Sequence, residues 1–527
     1  MSPPALVNQS VTPTSSRNGN YGVALDTSHA FGLGDETLDP SIISPQSLDD
    51  YKLDSNSIAT SFRKFSTHYL PHFPILDTRM SVNILHQTNP LLFWAIVLIS
   101  SRHEENLAEA YKNLLSRQLI EPIRSLYTIH ALLIYCLWPI PSRKQILDSS
   151  WNYCGFAVSA AIRMGLHQSD ATWEYDFSQF SAQDIEIRRR TWLGCFIVST
   201  YLSSDLGLPS VIGPAMELDA PLKAPSTRDP LAIQFEIECH VARFSATMNQ
   251  RSGSTVRSSL IHMFDSELLI ISAEVLATQN PILEILFLGA RLSLYSFALL
   301  GETASRTDAH HVDVSTRAIW YLGFEVAIRL THLYNSTAEP PHYAYPKHHF
   351  WILLSSGYYL LKFLSINTNV TSSESELARN SIRLVYSTLQ TWSLQPLDEP
   401  WRVARIISLL ANAELQSTLH QYQRLNRRVP LSIVADVMEM TAWLRAKLKK
   451  EGKGKEAMST SELNAAGDVV AADGEIGGGV LAGTATVMEP VLLDDDALWE
   501  GLDEWLRWES DIGGNFLLPY SDEPFVS

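Results

Sequence analysis

An all-α protein is what this sequence predicts, and three observations carry that expectation. Apolar residues recur at spacings of three and four in one segment after another, the period of a helix with one face turned inward. Alternating apolar and polar runs of the kind that build strands are nearly absent. With 46% hydrophobic and 18% charged residues, and with 13 Trp, 19 Tyr and 19 Phe, the chain can fill an extensive interior.

Taken in order, residues 1–56 hold Ser, Pro, Asn, Gly and Asp with apolar residues too scattered to bury together, so a disordered segment is expected there. An amphipathic stretch begins near Ser57 and stops at Pro71 and Pro74, because proline disfavours helix at the residue before it. Helices are then predicted over 90–101, 105–120, 125–137, 146–166, 183–206, 230–248 and 254–276. Further ones are predicted over 281–301, 312–335, 346–366, 374–393, 400–422 and 431–450, with proline or Gly, Ser and Asn at several joins. Trp94, Trp138, Trp151 and Trp192 sit among Leu, Ile and Val, where their area drives one helix onto the next. Gly155, Gly165 and Gly194 permit close helix approach, or, for Gly165, end a helix. No fixed repeat period is visible, and stacked helix pairs remain compatible with the pattern. This helical body spans 57–448. Residues 449–490 are a Gly- and Ala-rich flexible linker, and 491–527 form an acidic, aromatic tail.

The net charge of -17 would repel a polyanion, so the whole-molecule field gives no support to direct nucleic-acid binding. From Val491 onward ten acidic residues face Arg507 alone. There Leu498, Trp499, Leu502, Trp505, Leu506 and Trp508 would line one broad face of a short helix, with acids around them. Interleaved acids and aromatics are the pattern of an activation segment that folds onto a coactivator groove; a final helix docked on the core is the plainer reading. Asp494 to Asp496 invite comparison with the magnesium-binding aspartates of helical terpene synthases, but they lie beyond a linker rather than inside an apolar cavity. Arg445, Lys447, Lys449, Lys450, Lys453 and Lys455 cluster at a helix end and read as a nuclear import signal.

The four cysteines, Cys136, Cys154, Cys195 and Cys239, stand far apart in apolar stretches and read as buried thiols. His68 and His72 have metal-ligand spacing on a helix that prolines interrupt, so surface or packing roles are expected. His310 with His311, and His348 with His349, are adjacent pairs whose side chains diverge on a helix. Arg188, Arg189 and Arg190 read as a solvated helical turn with one arginine paired inward. No nucleophile elbow, Walker loop or Rossmann glycine pattern is present, so no enzyme, metal site or cofactor is expected in this chain. Residues 1–30 contain no secretory apolar region, and Leu91–Ile99 is far shorter than the ~20 residues that span a bilayer.

Five blocks occur in order between residues 65 and 212: FSTHYLPHFPILD, NPLLFWAIVLISSR, SLYTIHALLIYCLWPIP, DSSWNYCGFAVSAAIRMGLHQ and RRRTWLGCFIVSTYLSSDLGLP. Together they resemble the middle homology region of fungal Zn2Cys6 transcription factors, in the version found in regulators similar to the leucine-biosynthesis activator. The resemblance implies a nuclear regulator of metabolic or secondary-metabolite biosynthetic genes, with a regulatory helical body and an acidic activating tail. In that family an N-terminal zinc cluster binds DNA, and six closely spaced cysteines are what this chain lacks. The expected partners are therefore coactivators, a DNA-binding regulator as homo- or heterodimer partner, and a small-metabolite effector, with DNA reached only indirectly and no membrane. A corepressor or decoy acting through a DNA-binding partner is the alternative.

Overall fold

The computed structural model describes residues 38–76, 81–101, 104–141, 148–168, 181–208, 210–213, 229–248, 254–299, 314–336, 341–367, 369–393 and 398–411, and most of 433–447. Fourteen α-helices are named among these, with one two-stranded hairpin, so the described chain is all-α.

The hairpin corrects the expectation of disorder up to residue 56. Strands β1 (Gln46–Leu48) and β2 (Tyr51–Leu53) pair antiparallel, Leu48 opposite Tyr51, across a turn in which Asp49 takes a left-handed φ of 48°. Asp tolerates that region because its short polar side chain can bond locally. Leu38, Ile43, Leu48 and Leu53 are buried, so four scattered apolar residues do find the core. Three-residue strands are too short to show a period in sequence.

Helix α1 (Ser55–Lys64) runs into a π turn at Phe65–Tyr69 and a 3-10 turn at Leu70–His72, and ends where the two prolines were expected to end it. A short α2 (Val82–Thr88), not foreseen, precedes α3 (Pro90–Ser100), which starts with proline at its first turn and buries every residue from Leu91 to Ser100. A helix apolar on all sides belongs in the middle of a body. Helices α4 (Glu105–Ile120), α5 (Leu126–Leu137), α6 (Ser150–Arg163) and α7 (Ala182–Leu206) follow. The Ser125 hydroxyl caps α5, and a Ser181–Asp184 capping box opens α7. At the end of α6, Gly165 adopts φ 71° while the Leu166 N–H donates to the Ala161 carbonyl, so this glycine does stop its helix. A Cβ on Gly194 would lie 2.5 Å from Ile75 Cδ1, which confirms the close approach read there; around Gly155 the space is open, and no close approach exists.

The second half is α8 (Pro230–Met248), α9 (Ser254–Thr278), α10 (Pro281–Leu299), α11 (Val314–Ser336), α12 (Lys347–Ile366), α13 (Ser372–Trp392) and α14 (Glu399–Ala411). From α5 onward nearly every helix packs on the next, the pattern of successive helical hairpins, while α12 also touches α7, α10 and α14 and so ties the halves together. Helix α10 has the length and apolarity of a membrane span, yet most of it is buried against its neighbours α8, α9, α11 and α12. Trp138 bridges 206 positions by donating its indole N–H to the Ala344 carbonyl at 2.9 Å.

Candidate regulatory seam

Where α7, α8 and α12 meet, the interior is polar. Tyr201 and Asp205 stand one turn apart on α7, and Gln234 and Glu238 one turn apart on α8, so each pair projects from one helix face. Lys347, His348 and His349 open α12, and His72 enters from the 3-10 turn after α1.

Within this seam the His348 Nδ1 lies 2.9 Å from Asp205 Oδ1, and its ring stacks on Tyr201 with centroids 3.9 Å apart. Burial opposes charge on His348, but Asp205, helped by Glu238, outweighs it and holds the imidazole pKa above its ordinary value. Burial raises Asp205 despite that partner. Glu238 is pushed up to about 8 by burial, His348 opposing and Asp205 adding, and its Oε2 has no hydrogen-bond partner. A carboxyl in that setting is protonated at neutral pH and becomes costly once ionised.

One residue back, the Lys347 ammonium sits 2.9 Å from Asp148 and 3.1 Å from Glu399, which joins the loop before α6 to the start of α14. Burial opposes its charge, and the two carboxylates overcome that and raise its pKa. One residue on, His349 faces the other way, as adjacent helical positions must: the Tyr334 hydroxyl lies 3.1 Å from its Nδ1, and the His72 ring lies 5.2 Å away edge-on. Both His72 nitrogens lack partners, and burial pushes this imidazole down to about 3. The Gln234 amide donates to the His72 carbonyl at 3.0 Å and leaves its own oxygen unpartnered.

Arg190 is paired inward, bonding Asp229 and the Pro74 carbonyl, and Arg188 also turns in, to the Met164 carbonyl; Arg189 is held by Glu186 at 2.8 Å on its own helix. His68 packs edge-on against Tyr343, and His72 is a buried packing residue. Cys136, Cys154 and Cys195 are buried and Cys239 is half-buried, all as free thiols. Among the described residues no three His, Cys, Asp or Glu side chains gather in a way that could hold a metal ion. Of the basic cluster only Lys447 is described, its ammonium 5.3 Å from the Trp443 ring centre. Arg445, Lys449, Lys450, Lys453, Lys455, His310, His311 and the tail residues Leu498, Trp499, Leu502, Trp505, Leu506 and Trp508 lie outside the described residues. A shallow groove of about 370 Å³ opens between the α2–α3 junction and the α4–α5 loop, lined by Asn89, Gln118, Arg124 and Ser125 among others.

The seam crosses a boundary that comparison with known proteins makes visible. Residues 63–227 match the family described as the fungal specific transcription factor domain. Over that stretch the chain is similar to this family. The match contains all five blocks and supplies His72, Asp148, Tyr201 and Asp205, whereas Gln234, Glu238, Lys347, His348 and Glu399 come from the helices after it. Among similar proteins, the putative transcription factor SEF1 of Eremothecium gossypii is 32% identical over 267 residues, 47% of this chain and 25% of that protein. The regulatory protein LEU3 of Saccharomyces cerevisiae is 27% identical over 259 residues, 42% of this chain and 29% of that one. The transcriptional regulatory protein SEF1 of Candida albicans is 28% identical over 327 residues, 58% and 35% of the two chains. No solved structure matches. The aligned region thus spans about a quarter to a third of these relatives' lengths. The matched domain family is one of transcription factors, and the relatives bear the names of regulatory proteins.

Glu238 gives the seam a pH signature. Between its ordinary 4.5 and about 8 the folded chain holds a proton that the unfolded chain has released, so stability falls as pH rises through that window. At about 1.4 kcal/mol per unit, the penalty reaches about 3 kcal/mol near pH 7. His348, raised in the same direction, adds stability below pH 6.5 that is lost above it. Glu238→Gln is expected to flatten the alkaline limb of stability against pH in urea titrations; an unchanged limb would place the ionisation elsewhere.

Proposed function

We propose that this chain regulates transcription in the nucleus, acting on metabolic or secondary-metabolite biosynthetic genes. The observation that carries the reading is the fungal specific transcription factor domain at 63–227, continuous in packing with the helices that follow. Residues 491–527 supply activation: their aromatics anchor in a coactivator groove and their acids steer the encounter. The basic cluster from Arg445 to Lys455 serves import. Because three of the four cysteines are committed to the core and the fourth is half-buried, these residues contact DNA through a DNA-binding partner. A small-metabolite effector acts by biasing the polar seam between the domain and its C-terminal helices, where His72, Gln234 and Glu238 each carry an unpartnered buried polar atom.

Fusing residues 491–527 to an unrelated DNA-binding domain tests the activation arm. Reporter output is expected to rise well above that of the DNA-binding domain alone, and Trp499→Ala with Trp505→Ala to bring it back near that baseline, since buried aromatic anchors carry most of the energy of such contacts. A silent wild-type tail would leave the corepressor reading in its place.

A further inference from the structure

Of the 26 prolines in the chain, Ser or Thr precedes only those that follow Ser2, Thr12 and Ser44. Ser-Pro and Thr-Pro steps are thus confined to the first 45 residues, and the helical body has none. Ser44 is the one that falls among the described residues. It is exposed, in a strap from Leu38 to Pro45 that is neither helix nor strand. Leu38 and Ile43 bury their side chains, and side chains from elsewhere hold the backbone between them. The Asn83 amide on α2 donates to the Ile42 carbonyl at 2.9 Å and accepts from the Ser44 N–H at 3.1 Å, while the Ser55 hydroxyl donates to the Ile43 carbonyl at 2.6 Å. A short segment outside the helices and the sheet opens locally at small cost. Pro45 biases Ser44 toward extended backbone, because its ring crowds the residue before it.

We infer that Ser44 is a phosphorylation site for a proline-directed protein kinase, and that the phosphate releases the strap from α2. Such a kinase holds its substrate extended, with the residue after the serine in a pocket that offers a backbone N–H no partner, and Pro45 has no N–H to strand. The Ser44 Oγ attacks the γ-phosphorus of ATP. The Oγ–P bond forms as the bond to the β,γ-bridging oxygen breaks, ADP leaves, and the hydroxyl proton passes to the kinase's catalytic aspartate. The product carries about two negative charges at neutral pH. Between Leu38 and Phe62 four aspartates, Asp39, Asp49, Asp50 and Asp54, stand against Lys52 alone, and Arg117, which reaches this segment, already pairs with Asp49 at 3.0 Å. The phosphate therefore adds to an excess of like charge. It also gives the Ser44 N–H an acceptor within its own residue, in competition with Asn83. Both effects favour the open strap, which is the form the kinase binds, so phosphorylation holds open what local opening exposes. The inference is independent of the activation reading above.

The test is incubation of the full chain with ATP and a purified mitogen-activated protein kinase, followed by mass-spectrometric mapping and amide hydrogen exchange. Phosphate is expected at Ser44, and exchange over residues 38–48 is expected to quicken about tenfold or more while the helices after α2 keep their protection. Ser44→Ala, which retains the backbone N–H, is expected to fold with an unchanged melting midpoint. After the same treatment, when it can be modified at Ser2 and Thr12 but not at 44, its strap is expected to exchange like that of the untreated chain. Asn83→Ala, without kinase, is expected to quicken exchange of the strap, and with kinase to raise the rate of phosphorylation at Ser44. An unmodified Ser44, with the kinase active on a control Ser-Pro peptide, would overturn the assignment of the site. Phosphate at Ser44 with exchange over 38–48 unchanged would overturn the release.

Discussion

Lys362→Met is expected to cost about 3–5 kcal/mol of stability, because it leaves a carboxylate buried without its ion-pair partner. Lys362 on α12 and Asp436 in the helical segment between 433 and 447 meet at 2.8 Å, with side chains only 5% and 1% exposed. Around them Val437, Met440 and Leu444 are buried, so this pair and a small apolar patch fasten the last described segment to the body. Removing both charges tells a different story from removing one. Well-packed apolar replacements often equal or exceed a buried pair, since each ion lost several kcal/mol on leaving water. Lys362→Met combined with Asp436→Leu is therefore expected to recover most of the single variant's loss in urea unfolding. A single variant within about 1 kcal/mol of wild type would mean that the segment is not held in this way.

Acidification from pH 6.5 to pH 5 is expected to cost about 4 kcal/mol through two histidines, about half of it offset as the penalty on Glu238 shrinks over the same range. His72 and His130 are both fully enclosed, and burial pushes each down to about 3, with Arg190 adding to the effect on His130. The sign follows from which state holds the proton. Below an ordinary value of 6.5 the unfolded chain binds a proton at each site while the folded chain does not, so stability falls as pH falls toward 3. Each unit of pH over that range is worth about 1.4 kcal/mol per histidine. His349 shifts in the same direction and deepens the fall. Urea titrations from pH 7 to pH 5 measure it, and His72→Phe is expected to remove its share. A slope unaltered by His72→Phe would show that this ring gains its proton without unfolding. With the alkaline loss through Glu238 and His348, stability is expected to peak near neutrality rather than at the pI of 5.4.

The helical body was legible in the sequence because its period is local. Helices α4 and α8 fall where apolar spacing put them, and Gly165 ends α6 as its position suggested. Elements too short for a period were not legible: the hairpin at 46–53 and the seven-residue α2 carry two or three core residues each. Gly155 and Gly194 look alike in sequence, yet only Gly194 faces a neighbour, because what lies opposite a helix face is set by tertiary structure. The polar seam was hidden for the same reason. Asp205 and His348 are 143 positions apart, and Gln234 and His72 162. One local signal was available: Gln234 and Glu238 interrupt the apolar run LAIQFEIECHV at i and i+4, and a carboxylate there must be buried or must break the helix face.

Tethering the full 527-residue chain to an unrelated DNA-binding domain upstream of a reporter measures the proposed function most directly. The expected result is activation that disappears when residues 491–527 are removed. Reporter output that stays at baseline, with and without those residues and in the presence of the cell's own metabolites, would contradict activation by this chain and leave the corepressor reading in its place.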